Sequence, residues 1–325
     1  MKPKILVTRE VFDETLAYLS EHCEVDSNQG DVALGADALA QRLSDKDGVV
    51  CSLTDRIDAA LLERAPRLKV VANVAVGYNN IDVPACTARQ IMATNTPGVL
   101  DDSTADLAWA LMLAAARRLT EVERRVRQGE WTGWRLKQWL GVDVHHATLG
   151  IVGMGRIGQT IAKRATGFEM RVLYHNRKRV AEDIERKLNA SCMSLETLLR
   201  QSDFVVLQVP YSPATHHMIG AAEIAMMKPT AILVNSTRGG VVDDAALIAA
   251  LKAGKIRAAG LDVFENEPKL NPDFLKLDNV VLAPHIGSST EATRRAMAMT
   301  AAKNAVAALT GATPPNLINP DARKG

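Results

Sequence analysis

No apolar run in this chain approaches the roughly 20 residues that a helix needs to cross a bilayer, so the sequence offers no membrane span. Cysteine is scarce. Only Cys23, Cys51, Cys86 and Cys192 occur, without the close pairing of a structural zinc or redox motif, and they read as reduced packing residues. A surplus of one charge is missing too: 39 Lys and Arg against 37 Asp and Glu leave a formal net charge of +2. That balance gives no reason to expect nucleic acid or a membrane surface as a partner. The amino end, Met1-Lys-Pro-Lys-Ile-Leu-Val, carries no cleavable signal and passes straight into a strand, which points to the cytoplasm. With 325 residues, 47% hydrophobic and 23% charged, the expectation is a globular chain of two domains.

What is present is alternation. Short apolar runs separated by amphipathic stretches predict parallel sheets covered by helices on both faces. The first hundred residues offer strands at Lys4 to Val7, Gly48 to Cys51, Lys69 to Ala72 and Ile91 to Thr94. A second set covers Leu149 to Val152, Arg171 to Tyr174, Phe204 to Val209, Ala231 to Asn235, Ala258 to Asp262 and Asn279 to Ala283. Between the sets, Ser103-Thr-Ala-Asp106 reads as a capping-box start, with Leu107, Ala110, Leu111 and Ala114 at helical spacing before Arg117-Arg118. Three of the four tryptophans then fall in Trp131-Thr-Gly-Trp134-Arg-Leu-Lys-Gln-Trp139, either a core flap or an arm that packs on a second subunit. A long helix from Glu291 to Leu309, stopped before Pro314-Pro315, is expected to fold back on the amino-terminal unit. The expected domains are thus 1–99 with 287–325, and 100–286, the second bearing an arm near 120–146.

The most specific local signal is Leu149-Gly-Ile-Val-Gly153-Met-Gly155-Arg156-Ile157-Gly158, an apolar strand entering a glycine-patterned turn and a helix. In a dinucleotide site the first glycine makes the tight turn, the second lets backbone approach a pyrophosphate, and the third lets the helix lie on the sheet. The anion rests on the helix N-terminus, where unpaired N–H groups and the positive dipole end meet its charge. An NAD site usually places a carboxylate about 20 residues on, to accept from the ribose 2′-hydroxyl. Here the next strand ends in His175-Asn176-Arg177-Lys178-Arg179. Asn and Arg donate to a 2′-phosphate that a carboxylate would repel, so NADP(H) is expected over NAD(H), with NAD(H) as the second cofactor.

Three further stretches follow strands directly: Asn235-Ser-Thr237-Arg238-Gly239-Gly240, Asp262-Val-Phe-Glu265-Asn-Glu267-Pro268, and Pro284-His285-Ile-Gly287-Ser288. Their mouths should open on one sheet edge, where ligands of open α/β sheets bind. Reducing a ketone with a nicotinamide requires a proton donor for the oxygen and a cation to orient the substrate. His285 and Arg238 suit those roles, and Glu267 can orient the imidazole and stabilise its charged form.

The tracts Val76-Gly77-Tyr78-Asn79-Asn80-Ile81-Asp82, Val152 to Gly158, Asn235 to Gly239, Gly260 to Pro268 and Pro284 to Ser288 together resemble the D-isomer-specific 2-hydroxyacid dehydrogenases over almost the full length. The likeness is greatest to their glyoxylate/hydroxypyruvate reductase branch, which includes 2-ketogluconate reductases. The resemblance implies two doubly wound parallel-sheet domains, a Rossmann dinucleotide-binding domain and a flavodoxin-like substrate domain. It implies catalytic roles for Arg238, Glu267 and His285, with Arg238 holding the 2-keto acid and His285 as acid or base. Backbone N–H groups at Val76 and Gly77 would hold the substrate carboxylate, and Trp139 from a partner subunit of a homodimer would reach the substrate pocket. From the residues alone, Val76-Gly77 reads only as a strand-ending turn. Asp262 would take the nicotinamide carboxamide. Thr104 and Ser288, with Val209, Pro210 and Thr237, would line the cofactor alongside Gly153, Gly155, Arg156, Ile157, Gly158, His175, Asn176, Arg177 and His285. The competing expectation from another class is a dinucleotide-sensing, corepressor-like binding protein on the same fold.

Overall fold

The computed structural model describes residues 1–323, and the chain divides into two compact units, Asp101–Ser288 and Met1–Leu100 together with the chain from Ser289 onward. The chain opens with β1 (Lys4–Val7), α1 (Asp13–His22), β2 (Glu24–Ser27), α2 (Ala36–Leu43), β3 (Gly48–Cys51), α3 (Ala59–Glu63), β4 (Val70–Asn73), α4 (Val83–Ala88) and β5 (Met92–Thr94). These strands form one parallel sheet in the order β2-β1-β3-β4-β5, the flavodoxin-like order.

The second unit begins with α5 (Asp101–Ala116) and α6 (Leu119–Arg127), followed by an irregular segment and β6 (Thr148–Val152). It continues through α7 (Arg156–Ala165), β7 (Arg171–His175), α8 (Glu182–Leu188), β8 (Ala190–Cys192), α9 (Leu195–Gln201), β9 (Phe204–Leu207) and α10 (Ala221–Met226). It closes with β10 (Ile232–Asn235), α11 (Asp244–Lys252), β11 (Ala258–Leu261) and β12 (Val280–Leu282). Its seven parallel strands run β12-β11-β10-β9-β6-β7-β8, the Rossmann order extended by one strand. The order reverses between β6 and β9, which places the glycine-rich turn after β6 at the topological switch point. After Ser288 the chain returns to the first unit as α12 (Glu291–Leu309), which packs on β3, β4 and α1.

Strands buried on both faces need apolar residues at every position, and alternate side chains sort to opposite layers. Leu149, Ile151, Val206, Ile232 and Val234 point to the layer built from α5 and α7, whereas Val152, Val205, Leu207 and Leu233 point to the layer of α9, α10 and α11. Full burial of each such side chain contributes about 1.5–3 kcal/mol. Trp109 of α5 stacks on Phe168 at 4.6 Å, and its indole N–H donates to the Ile161 carbonyl (3.2 Å), locking α5 to α7.

Two expectations shift. The helix expected to start at Ser103 begins at Asp101, with Asp101 and Asp102 in its first turn, where the helix dipole favours carboxylates. It also stops at Ala116, because Arg118 enters the left-handed region (φ 56°) to start α6. Strands β2 and β8 were not expected. Each lies at the edge of its sheet, half solvated, so neither reads as an apolar run. Cys23, Cys51 and Cys86 are buried and Cys192 partly buried, all as free thiols. Among the described residues no helix is long and apolar enough to cross a membrane.

Candidate active site

The turn after β6 gives its three glycines three different duties. Gly153 has φ 106°, and a side chain there would collide with the Gln208 carbonyl after β9. A side chain at Gly158 would strike the Gly153 carbonyl and press on Ile151, so this glycine permits α7 to sit on β6. Gly155 differs: no atom lies within 4 Å of where its side chain would be. That open space, at the N-cap of α7 with Arg156 exposed and Ile157 half-buried beside it, is the cradle that a pyrophosphate needs. The residues present therefore fit a dinucleotide.

The end of β7 closes over this turn. The Asn176 side-chain oxygen accepts from the Met154 N–H (2.8 Å), which leaves the Asn176 amide nitrogen as the donor available to a ligand. His175 Nδ1 faces the Met193 carbonyl at 3.0 Å, and because a carbonyl only accepts, Nδ1 carries the proton. His175 therefore faces a ligand only through Nε2. Arg177 is exposed, without a hydrogen bond or ion pair among the described residues. Arg179 is already spent: it forks onto Glu185 (2.9 and 2.7 Å), which also accepts from the Tyr174 hydroxyl (2.6 Å). Arg179 first and Tyr174 second hold the Glu185 carboxyl down at about 2.

Adjacent strands β10, β11 and β12 run in register, Asn235 opposite Leu261 and Leu261 opposite Leu282, so their carboxyl ends deliver Arg238, Glu267 and His285 to one edge. Buried Asn235 shapes the first turn. Its side-chain oxygen accepts from the Thr237 N–H (3.2 Å) and hydroxyl (2.9 Å), and its amide donates to the Arg238 carbonyl (3.2 Å). Gly239 lies flat against the Phe264 carbonyl, where any side chain would collide, and this contact presses the Arg238 turn onto the Glu267 segment. Glu267 accepts from the Phe264 N–H (2.9 Å) with one oxygen and meets His285 Nδ1 with the other (2.7 Å). A carboxylate only accepts, so Nδ1 carries a proton and the opposite nitrogen, Nε2, is the one left to exchange a proton. Burial alone would push the Glu267 carboxyl up, but the His285 and Phe264 hydrogen bonds and the charge of Arg238 hold it below the usual carboxylate range. Burial likewise pulls the Arg238 guanidinium down, against the opposing pull of Glu267. These three groups stand together in the second unit.

Asp262 is 1% exposed and organises the last turn. Its carboxylate accepts from the N–H groups of Ile286 (2.7 Å) and Gly287 (2.9 Å), while its carbonyl accepts from the His285 N–H (2.8 Å) and the His285 backbone takes φ 56°. Burial raises this carboxyl despite both hydrogen bonds. Gly287 lies between Asp262 and buried Thr104 of α5, with Ser288 next in the chain. Val209 and Pro210 follow β9, beside the Gly153 turn, and Thr237 is buried beneath Arg238. Val76 and Gly77 lie in the first unit at the carboxyl end of β4, and Trp139 lies in the irregular segment after α6. Sequence reasoning gave Asn235 no role. Its signal is an Asn at a strand end followed by Ser-Thr, the composition of a turn closed by the Asn side chain.

The family model described as D-isomer specific 2-hydroxyacid dehydrogenase, NAD binding domain, matches residues 109–287. A glyoxylate reductase of Thermococcus onnurineus is 50% identical over 323 residues, covering 98% of this chain and 96% of that protein. A glyoxylate reductase of Pyrococcus horikoshii is likewise 50% identical, with the same shares covered. Among solved structures, an NADPH-dependent glyoxylate/hydroxypyruvate reductase from Sinorhizobium meliloti, in complex with NADP and malonate, superposes with a TM-score of 0.88 at 32% identity, covering 99% of this chain and 98% of that one.

Proposed function

The chain belongs to the D-isomer-specific 2-hydroxyacid dehydrogenase family, and we propose that it reduces small 2-keto acids, glyoxylate and hydroxypyruvate foremost and 2-ketogluconate as a third, with NADPH preferred over NADH, glyoxylate giving achiral glycolate and the ketones giving D-2-hydroxy acids. The observation that carries this reading is the His285–Glu267 contact beside Arg238, at the edge where the same sheet presents its dinucleotide turn. The bound nicotinamide supplies the hydride. Arg238 orients and polarises the keto acid, His285 delivers a proton from Nε2 to the ketone oxygen, and Glu267 holds the imidazole by Nδ1 and stabilises its charge. The amides at Val76 and Gly77 take the substrate carboxylate. Asp262, with lone pairs left on both oxygens, takes the carboxamide, and Thr104 and Ser288 border the cofactor.

For the cofactor preference, support comes from the free Asn176 amide and unpaired Arg177 where a 2′-phosphate would lie, with no carboxylate in the tract itself. A homodimer is supported by the segment after α6, which leaves Trp134 79% and Leu136 76% exposed in irregular chain. Exposed apolar side chains gathered on one segment suit a surface that a second copy covers. Trp139 in the same arm is the residue assigned to the partner's substrate pocket. The test is a set of steady-state rates with glyoxylate, hydroxypyruvate and 2-ketogluconate, each with NADPH and NADH. Turnover of at least one acid, with kcat/KM higher for NADPH, is expected. Absence of turnover with all three refutes the substrate class, and equal use of both cofactors refutes the 2′-phosphate assignment.

A further inference from the structure

We infer that Asn95 and Asn73 are positioning residues for the substrate carboxylate, acting by tying down the carbonyls of the Val76-Gly77 turn so that its amides face a ligand. The inference rests on the keto-acid reading above and adds to it the groups that shape the binding turn.

Three consecutive carbonyls of this turn have fixed partners. Ala75 accepts from the Thr96 N–H (3.0 Å), Val76 from the Asn95 side-chain amide (2.8 Å), and Gly77 from the Asn73 side-chain amide (3.0 Å). In a planar trans peptide the carbonyl and the following N–H point in opposite directions. Anchoring these carbonyls therefore turns the N–H groups of Val76, Gly77 and Tyr78 away from the anchors, and none of the three donates to an acceptor among the described residues. They sit at the carboxyl end of β4, with Val76 and Gly77 half-buried and Tyr78 exposed. Three successive unengaged donors in a partly desolvated turn suit an anion, and such groups bind best when their direction is set in advance.

The anchors are themselves held. The Asn95 carbonyl accepts from the side chain of fully buried Asn304 in α12 (3.0 Å). Asn73, also fully buried, lies against the Asn80 amide (3.3 Å), and Asn80 donates to the carbonyls of Ser52 and Asp55 (3.1 Å each). Asparagine is required because each anchor must donate to a carbonyl. An aspartate of the same shape would present only acceptors there and would oppose the incoming carboxylate.

The test is Asn95→Asp, which keeps the shape and removes the donor, with Asn95→Ala to remove the donor without adding charge. For both, KM for glyoxylate and the inhibition constant of oxamate should rise about fivefold to tenfold. For both, kcat should stay within about threefold and the dissociation constant of NADPH, by fluorescence titration, within about twofold. A KM unchanged in the folded variants, or NADPH affinity lost in step with glyoxylate affinity, overturns the inference. Failure of the wild type to turn over glyoxylate, hydroxypyruvate and 2-ketogluconate alike would instead overturn the keto-acid reading beneath it.

Discussion

Two histidine–carboxylate pairs hang from the same short segment after β11. His285 meets Glu267 at 2.7 Å, and His217 meets Glu265 at 2.6 Å. By distance they are equivalent. Their surroundings are not: the Glu267 pair lies beside the Arg238 guanidinium, whereas His217 stacks on His216 (3.9 Å) and has Asp243 within 3.9 Å and Asp244 nearby. A keto acid carries negative charge, so it is drawn to the first environment and repelled from the second. Backbone geometry does not separate them. Both histidines take the left-handed region (φ 56° at His285, 49° at His217), each with its N–H donating to a carbonyl, Asp262 (2.8 Å) and Gly240 (2.7 Å) respectively. The carboxylates differ: the Glu265 N–H donates to Asp244 (3.0 Å), which adds to the negative charge around His217. A short contact between imidazole and carboxylate does not by itself single out the proposed acid; the neighbouring Arg238 cation is what distinguishes the two pairs.

Substitutions can break or sharpen this contrast. The largest of these effects is expected from Glu267→Gln, which keeps an acceptor for His285 Nδ1 but removes the charge: kcat for glyoxylate reduction should fall about a hundredfold with little change in NADPH affinity. Retention of more than half the rate would deprive Glu267 of its role.

Asp244 should act on stability instead. Burial raises its carboxyl from 3.8 to about 6, opposed by the Glu265 N–H, so the folded state disfavours the ionised form. Its contribution is most favourable below about pH 4, declines as pH rises towards 6, and is constant above that. Asp244→Asn keeps an acceptor and cannot ionise. It should stabilise the fold at pH 8 by on the order of 1–2 kcal/mol and change little at pH 4, as read by denaturant unfolding at both values. Equal effects at both pH values would refute the buried-charge explanation.

The smallest change is expected from His217→Ala. The imidazole gains its raised pKa chiefly from the Glu265 hydrogen bond, so the pair stabilises the fold below the ordinary imidazole range and loses that contribution as pH rises through the raised value. With His217 and Glu265 side chains 38% and 28% exposed, its removal should cost less than about 1 kcal/mol at pH 6 and leave kcat within about twofold. A fall in kcat as large as that of Glu267→Gln would erase the distinction between the pairs.

What could be read from the sequence followed burial. Interior strands such as Val70–Asn73 and Ile232–Asn235 are apolar up to the asparagine at their carboxyl ends because helices cover both faces, and they stand out as runs. Edge strands Glu24–Ser27 and Ala190–Cys192 meet water on one side and leave no such run. The glycine turn was legible because Gly153 and Gly158 answer local steric demands and Gly155 leaves its cradle open. Arg238, Glu267 and His285 were legible because consecutive parallel strands end together. Asn73 and Asn95 were not, since a side chain that bonds a carbonyl elsewhere in the chain imposes no spacing. Which atoms of His175 and Asn176 face a ligand also needed coordinates, because it depends on which nitrogen or oxygen Met193 and Met154 already occupy.

The assignment of His285 as proton donor is tested most directly by a single turnover: protein saturated with NADPH is mixed with glyoxylate and the absorbance of the reduced nicotinamide is followed for the wild type and His285→Ala. The wild type should oxidise its bound cofactor, and His285→Ala should retain NADPH, by fluorescence titration, while oxidising it at least about a thousandfold more slowly. Oxidation by His285→Ala at close to the wild-type rate would contradict the assignment.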